Sequence, residues 1–498
     1  MTTFAYQFDT PTFKKKLSFN TGIFIDNKFS DGSSKGLIDV VNPSTGKVTT
    51  AVSEGTPADI DRAVAAARRA FQTTWGLNCP GAQRAALMLK LANLMEANHE
   101  EIGAIEAIDA GKTFAQAKGE VLNSAGCIRY YAGWADKNHG KTIETSEAKL
   151  AYTRHEPIGV CGQIIPWNFP LGMMAWKLGP ALATGCTIVL KPSEFTPLSA
   201  LRMAELVVEA GFPPGVVNVV VGYGHTVGAA MAEHMDIDKI AFTGSTVIGR
   251  KIQEAAAKSN LKNVTLELGG KSPNIVFDDA DLDLAVGWTS HGIYFNHGQA
   301  CTAASRIFVQ SGIYDKFLAA FTKKALEIKL GDPFQADSRQ GPQVSKVQFD
   351  RIMGYIESGK QQGAKVHLGG EQHGDVGYWI KPTIFTDTTP DMKIVQEEIF
   401  GPVGVVIKFT DETDVIRQAN DTMYGLAACV FSQDIKRGIE TAHKLHAGTV
   451  WVNCANSTET NVPFGGYKQS GIGRELGDAA LANYTSVKAV HVNLAHTI

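Results

Sequence analysis

The chain has no apolar run near the ~18 residues needed to cross a membrane, no C-x-x-C pair, and no dense basic cluster. The first absence excludes a helical membrane protein. The seven cysteines (Cys79, Cys127, Cys161, Cys186, Cys301, Cys429, Cys454) are odd in number and scattered. They are expected to be reduced thiols rather than a disulfide framework or a zinc site, so no metal is expected. With a formal net charge of -3 and only Lys14-Lys15-Lys16 as a cationic cluster, nothing points to nucleic acid or an anionic membrane surface as partner. The three lysines are read as a solvated stretch. The N-terminus lacks the charged-then-apolar plan of a signal peptide and the first arginine is Arg62, so a cytoplasmic location is expected. There is no internal repeat and no low-complexity tract.

What is present is 498 residues, 44% hydrophobic and 19% charged, with 50 glycines. That describes an ordinary globular chain with many loops, long enough for two or three domains. Residues 57–74 open with Pro57 after Thr56 and place Val64, Ala67, Arg68 and Phe71 at helical spacing, which predicts an amphipathic helix. A second helix is expected at about 81–99. From Gly159 short β-branched runs alternate with helices: strand 159–165, helix 177–183, strand 187–191, helix 198–210 closed by Gly211, strand 216–221, strand 239–242, helix 248–257, strand 264–268. Such alternation predicts βαβ units and a parallel, doubly wound sheet that binds ligands at the carboxyl ends of its strands. A second α/β domain follows the Gly269-Gly270 pair, with strands at 273–277, 306–310, 403–409 and 449–452 and helices at 281–295 and 314–328. The segments 140–156 and 484–493 look like strands with no helix following and are expected to form a small separate sheet whose edges invite subunit assembly.

Three residues stand out for chemistry. Cys301 lies in Gly298-Gln299-Ala300-Cys301-Thr302; a lone cysteine is usually a small buried hydrophobe, but small and polar neighbours suit a thiol that a substrate must reach. Glu267, between Leu266 and Leu268 at the end of a strand pattern, is either a solvated or ion-paired carboxylate or a partly desolvated general base. Asn168, flanked by Pro166-Trp167 and Phe169-Pro170, is either a turn asparagine or an amide donor for a developing oxyanion.

The dinucleotide fingerprint G-x-G-x-x-G is missing; Gly222-x-Gly224 with Gly228 misses it by one residue and reads as a loop. Phe242-Thr243-Gly244-Ser245 follows a strand and opens a helix, a place where free N–H groups can hold a phosphate. Lys191-Pro192-Ser193-Glu194 follows another strand. An acidic side chain there can bind ribose hydroxyls and repel a 2′-phosphate, favouring NAD over NADP.

Taken together, Pro166-Trp167-Asn168-Phe169-Pro170, Phe242-Thr243-Gly244-Ser245, Leu266-Glu267-Leu268-Gly269-Gly270-Lys271, Gly298-Gln299-Ala300-Cys301, Glu398-Ile399-Phe400-Gly401-Pro402 and Pro463-Phe464-Gly465-Gly466-Tyr467-Lys468 resemble, in order and over nearly the whole chain, the NAD-dependent aldehyde dehydrogenase superfamily of class 1 and class 2 type, with a fungal flavour. The resemblance implies an α/β fold with a Rossmann-type NAD-binding domain (1–139 and 158–268), an α/β catalytic domain (269–483) and a small β oligomerisation domain (140–157 and 484–498). It implies an oxidoreductase that takes a small-molecule aldehyde to the carboxylic acid, working as a homotetramer, a dimer of dimers.

It also implies roles. Cys301 would be the nucleophile, forming a thiohemiacetal and then a thioester. Asn168 would stabilise the oxyanion and Glu267 would activate the hydrolytic water, with Lys177 and Glu475 in a proton-relay and hydrogen-bond network. NAD would lie against Ile164, Ile165, Pro166, Trp167, Phe242, Thr243, Gly244, Leu268 and Gly269. Lys191 and Glu194 would hold its adenosine ribose, Ser245 its pyrophosphate, and Glu398 with Phe400 its nicotinamide ribose, and Ser193, Gly224, Ile248 and Gln348 would also belong to the cofactor site. Phe169, Met173, Trp176, Phe295, Thr458 and Phe464 would line the substrate channel. Two departures matter: Ala300 and Thr302 stand beside the thiol where relatives often carry extra cysteines, and the stretch 455–461 is small and polar where many relatives place aromatics. The second is expected to widen one wall and admit bulky or aromatic aldehydes. A CoA-acylating relative, a silent structural protein and a plain thiol esterase fit less well, because Glu267, Cys301, Asn168 and the Lys191, Glu194 and Glu398 set occur together.

Overall fold

The computed structural model describes residues 2–495; Met1 and positions 496–498, the end of the expected 484–498 segment, lie outside the described residues. Its centre is an eight-stranded sheet in the order Gly471–Ile472, Asn263–Glu267, Lys239–Thr243, Val160–Ile164, Thr187–Lys191, Val217–Val219, Ile23–Ile25, Lys28–Ser30. The five strands from Asn263–Glu267 to Val217–Val219 are parallel. The chain enters at Val160–Ile164, winds outward through Thr187–Lys191 to Val217–Val219, and then crosses to Lys239–Thr243 on the other side. That reversal makes a crevice at the carboxyl ends of Val160–Ile164 and Lys239–Thr243. The strands are continuous apolar runs because both faces are covered. Ile60, Val64 and Ala67 of the helix Pro57–Thr73 pack on Val160, Val189 and Ile240 on one face. On the other face the helices Pro170–Thr184 and Leu198–Ala210 lie under a layer formed by Gly81–Ala97, His99–Ala110 and Phe114–Ala132.

A second, seven-stranded sheet runs Lys365–Leu368, Thr383–Thr386, Val403–Phe409, Arg306–Gln310, Pro273–Val276, Ala427–Phe431, Thr449–Val452, parallel except at the Lys365–Leu368 edge. Its first strand follows Glu267 by only a few residues. The chain therefore leaves the carboxyl end of the first sheet and enters the amino end of the second, so the two sheets meet end to end. Thr485–Asn493 pairs antiparallel with Lys149–Pro157, and Thr142–Ser146 pairs on its other side, making a three-stranded sheet.

Several expectations shift. The helix expected at 177–183 begins at Pro170 and runs to Thr184. The Phe169-Pro170 pair reads as loop, yet proline at the first helical position is a start signal. Gly224 does not lie in an irregular loop; residues 224–228 form one π turn. Lys14-Lys15-Lys16 is solvent-exposed but forms the strand Lys14–Asn20, paired with Thr3–Asp9. The helices His99–Ala110 and Phe114–Ala132 were not anticipated, because nearly every side chain of the first is buried and no polar face marks its period.

The contact between the Phe114–Ala132 and Pro170–Thr184 helices is tight at one point. Gly179 faces the Tyr131 ring, where a Cβ would lie 2.5 Å from Cδ2, and Tyr131 is fully buried with its hydroxyl donating to the Gly477 carbonyl at 3.0 Å. Alanine is favoured over glycine inside a helix by about 1 kcal/mol, but overpacking a rigid core site costs ~1–3 kcal/mol. Gly179→Ala is therefore expected to lower the Tm; an unchanged or higher Tm in a thermal scan would show that the ring gives way freely.

Candidate functional site

The loops at the meeting ends of the two sheets enclose a cavity of about 780 Å³. The chain around Cys301 reaches it through a strained turn. After the helix Leu282–Tyr294, Asn296 (φ 49°), His297 (φ 61°) and Gly298 (φ 71°) are all left-handed. Two of these carry side chains, a conformation costing on the order of 1–3 kcal/mol each. Their hydrogen bonds hold it: Asn296 Nδ2 donates to the carbonyls of Asn168 (3.0 Å) and Gln299 (3.1 Å). His297 Nε2 accepts from the Gly341 amide at 2.9 Å while Nδ1 contacts the Pro342 carbonyl at 3.0 Å. Burial pushes the His297 imidazole down to about 3, so it is neutral and can accept and donate as the turn requires. Gly298 has no room for a side chain, since a Cβ would lie 2.0 Å from the Gly401 carbonyl oxygen.

Cys301 is partly exposed to the cavity. Burial pushes its thiol well above the usual range, and the carboxylates of Glu398 and Glu267 push it further. Asn168 is buried, and its Nδ2 donates one hydrogen bond to the Gln299 carbonyl at 3.0 Å. The amide thus stands beside the Gln299-Ala300-Cys301 backbone. Gly270 brings the other chain in: a Cβ there would lie 2.4 Å from the Cys301 carbonyl oxygen.

Glu267 ends the strand Asn263–Glu267, is 5% exposed, and has one oxygen with no partner. Burial, then the charge of Glu475, holds its carboxyl well above the ordinary range, while Lys177 and Arg474 pull the other way. Lys177 is fully buried, pairs with Glu475, and donates to Thr243 Oγ1 at 2.6 Å. Glu475 is held by a backbone ladder with Phe464, each amide donating to the other's carbonyl at 2.7 Å. The antiparallel pairing of Gly471–Ile472 with Leu266 and Glu267 brings this late segment to the first sheet.

Glu398 accepts from the Gly270 amide at 2.9 Å, and its other oxygen lies 2.3 Å from where a Gly269 Cβ would sit. Only the glycine pair fits between this carboxylate and the thiol loop. Burial raises the Glu398 carboxyl to about 7. Gln348 Nε2 donates to the Phe400 carbonyl at 2.9 Å, and the Phe400 ring meets Trp167 edge-on at 5.2 Å. Pro166, Thr243, Gly244, Ser245, Leu268 and Gly269 line the same cavity.

Ile164, Ile165, Lys191, Ser193, Glu194, Gly224, Phe242 and Ile248 do not line it; they continue along the carboxyl edge of the first sheet or just beyond. Buried Lys191 pairs with the more exposed Glu194 at 3.3 Å, and burial lowers the Lys191 ammonium. Ser193 Oγ accepts from the Phe195 amide at 3.3 Å. A Cβ on Gly228 would come within 3.9 Å of the Lys191 side chain, whereas one on Gly224 would meet nothing within 4 Å. Ile164, Ile165 and Phe242 are buried, and Ile248 is exposed on the helix that Ser245 caps.

On the thiol's other side, Phe169 stacks on Phe295 at 5.9 Å and Trp176 meets Phe464 edge-on at 5.3 Å, with Met173 between the helix and the cavity. Thr458 is exposed at the opening with Glu459, and Asn456 and Thr460 lie near it. Sequence reasoning missed Lys112, Gln116, Glu120 and Asn123, which also line the cavity. The signal available was the spacing Gln116, Glu120, Asn123 with Gly119 and Gly126, one polar and open face of the helix Phe114–Ala132.

The model of the aldehyde dehydrogenase family matches residues 29–490. An aldehyde dehydrogenase of Agaricus bisporus is 68% identical, covering 99% of this chain and 98% of that one. An Emericella nidulans aldehyde dehydrogenase is 58% identical over 98% of each. The solved NAD+ complex of an aldehyde dehydrogenase from Bacillus cereus superposes with a TM-score of 0.94 at 52% identity, covering 96% of this chain and 97% of that one. With the family model spanning most of the chain and relatives this similar at full length, the chain belongs to the aldehyde dehydrogenase family.

Proposed function

We propose that this enzyme oxidises aldehydes to carboxylic acids with NAD through a covalent thioester on Cys301. The observation that carries the mechanism is a partly exposed thiol sharing one cavity with a buried, unpaired carboxylate and a buried amide. The residues fit the dinucleotide: the crevice lies at the switch point of a parallel sheet, Gly224 leaves open space, and the Ser245-capped helix presents its positive end. Lys191 and Glu194 would hold the adenosine ribose, Ser245 the pyrophosphate, and Glu398 with Gln348 and Phe400 the nicotinamide ribose. Ile164, Ile165, Pro166, Trp167, Phe242, Thr243, Gly244, Ile248, Leu268 and Gly269 shape the walls.

In the first step the Cys301 sulfur bonds to the aldehyde carbon, the carbonyl π bond breaks, and the thiol gives its proton to Glu267. The new oxyanion is met by the Asn168 amide and the Cys301 backbone N–H. Bound NAD would supply a hydride acceptor for that carbon, so that the adduct on Cys301 could become a thioester. After releasing the thiol's proton to solvent, Glu267 takes a proton from water as the water oxygen bonds to the thioester carbon; the C–S bond then breaks, Glu267 returns the proton to the Cys301 sulfur, and the acid leaves. Desolvation makes Glu267 a stronger base than a solvated carboxylate, and Glu475 and Lys177 set its charge environment from opposite directions.

The reading extends to the whole chain. The two parallel sheets and the small sheet support the division into 1–139 with 158–268, 269–483, and 140–157 with 484–498, although Gly471–Ile472 is lent to the first sheet. Thr485–Asn493 is an edge strand of its sheet among the described residues, which supports assembly into a homotetramer. Seven free thiols support a reducing, cytoplasmic setting.

Cys301→Ala is expected to abolish NADH formation at 340 nm with every aldehyde, and full turnover in this variant would end the proposal. Glu267→Gln removes the base of both proton transfers: the first NADH per site should form slowly, and steady-state turnover should drop by on the order of 10²–10⁴. Because the carboxylate is the active form and its pKa is raised, wild-type turnover should rise with pH well above the ordinary carboxylate range, and Glu267→Gln should flatten that limb. A pH-independent wild type would contradict it. For substrate choice, the small polar stretch at Thr458 is expected to favour hexanal and phenylacetaldehyde over acetaldehyde in kcat/KM; a strong preference for acetaldehyde would sink that reading.

A further inference from the structure

The helix Pro170–Thr184 begins immediately after Asn168 and Phe169, and its N-terminal amides are satisfied from elsewhere. Phe169 at the cap offers no side-chain oxygen and Pro170 has no N–H. The next two amides need partners. Glu106, from the helix His99–Ala110, accepts from the Leu171 amide at 3.1 Å. Glu120, from the helix Phe114–Ala132, accepts from the Gly172 amide at 2.9 Å. Glu106 is fully buried and its second oxygen has no partner. Glu120 spends its second oxygen on Lys112, whose ammonium also lies 4.5 Å from the centroid of the Phe169 ring. Two carboxyl groups from two other helices, and a lysine from the link between those helices, thus grip the residues on either side of Pro170.

The grip is transmitted one residue back. Asn168 has its carbonyl tied to Asn296 and its amide to Gln299, both in the thiol turn. Phe169 stacks on Phe295, the residue that opens that turn. Rotation of the first helical turn would carry Asn168 with it, because only Phe169 separates it from Pro170. A donor must meet an oxyanion within a few tenths of an ångström to act fully, and a 1 Å displacement costs on the order of a hundredfold in rate.

We propose that Glu106 and Glu120, with Lys112, are positioning residues for the reaction: they clamp the start of the Pro170 helix so that the Asn168 amide faces the carbonyl under attack. This rests on the reading of Asn168 as the oxyanion donor. Asp109 provides an internal contrast. One turn after Glu106, it accepts from the Leu198 amide at 2.9 Å and so caps a different helix, Leu198–Ala210.

A double-mutant cycle tests the proposal, because residues acting through one another give non-additive losses whereas independent ones multiply. Glu106→Leu should lower kcat on the order of ten- to a hundredfold while KM for NAD stays within about twofold. Glu106→Gln, which keeps a carbonyl acceptor for the Leu171 amide, should restore most of kcat. Glu106→Leu with Asn168→Ala should be no slower than Asn168→Ala alone. Asp109→Leu should lower the Tm and, combined with Asn168→Ala, show no such masking. If Glu106→Leu does not fold, Glu120→Leu carries the same cycle. Multiplicative losses, or a folded Glu106→Leu enzyme with unchanged kcat, would overturn the positioning role alone; full kcat in Asn168→Ala would overturn the oxyanion reading and this inference with it.

Discussion

Withdrawal of charge from water at the junction of the two sheets is the condition on which the site rests. Glu267, Lys177, Glu475, Lys191 and Lys271 are all buried, and an ion stripped of water is costly unless its partners are fixed in place. Each therefore holds its neighbours to a geometry. Lys177 needs both Glu475 and Thr243, which ties the first sheet to the late segment that carries Phe464. Lys271, pulled down to about 7 by burial, gives its nitrogen to the Ile394 carbonyl at 2.8 Å and so anchors the segment leading to Glu398. The same low dielectric that makes these groups expensive to bury gives a carboxylate enough basicity to deprotonate water.

Part of the backbone strain lies at the same junction. Asn296, His297, Phe400, Asn453 and Asn456 are all left-handed without being glycine, and each adjoins the cavity or the loops that frame it. Such conformations persist only where the surroundings over-determine them. Here the surroundings are two rigid parallel sheets meeting end to end, with the Gly269-Gly270 crossing pressed between Glu398 and the Cys301 backbone. A side chain on either glycine would collide with one or the other, so the crossing, the cofactor-side carboxylate and the thiol loop can only be built together.

The fold was legible where local periodicity carries it. The strands of both sheets and the helices at 57 and 198 follow from β-branched runs, caps and closing glycines. The pairing of 484–493 with 149–157 could be suspected from two strand-like segments left without helices. What was not legible depends on burial from both sides. The helix His99–Ala110 shows no polar face because it is packed all round, and the start at Pro170 was hidden by a sequence that also reads as a turn. For the site, ordered motifs identified Cys301, Glu267, Asn168 and the Glu398 loop, and all of these come together in one cavity. The Lys112, Gln116 and Glu120 wall did not register, because a polar stripe on a helix is usually its solvated face. Only tertiary packing shows that this stripe looks into a channel.

Reactivity of the thiol follows from the same field. A nucleophilic cysteine is commonly activated by a positive neighbour that lowers its pKa; burial, and then the charges of Glu398 and Glu267, instead push the Cys301 thiol up. The thiolate, once formed, is intrinsically more nucleophilic for having a high pKa. What must change for it to form is the negative field, and Glu398 contributes more to that field than Glu267. Any ligand that hydrogen-bonds to the Glu398 carboxylate draws part of its charge away from the thiol. Deprotonation of Glu267 has the opposite effect, strengthening the field while creating the base that takes the proton. The two carboxyl groups are therefore not redundant: a ligand hydrogen-bonded to Glu398 relaxes the field over the thiol, whereas deprotonation of Glu267 strengthens it.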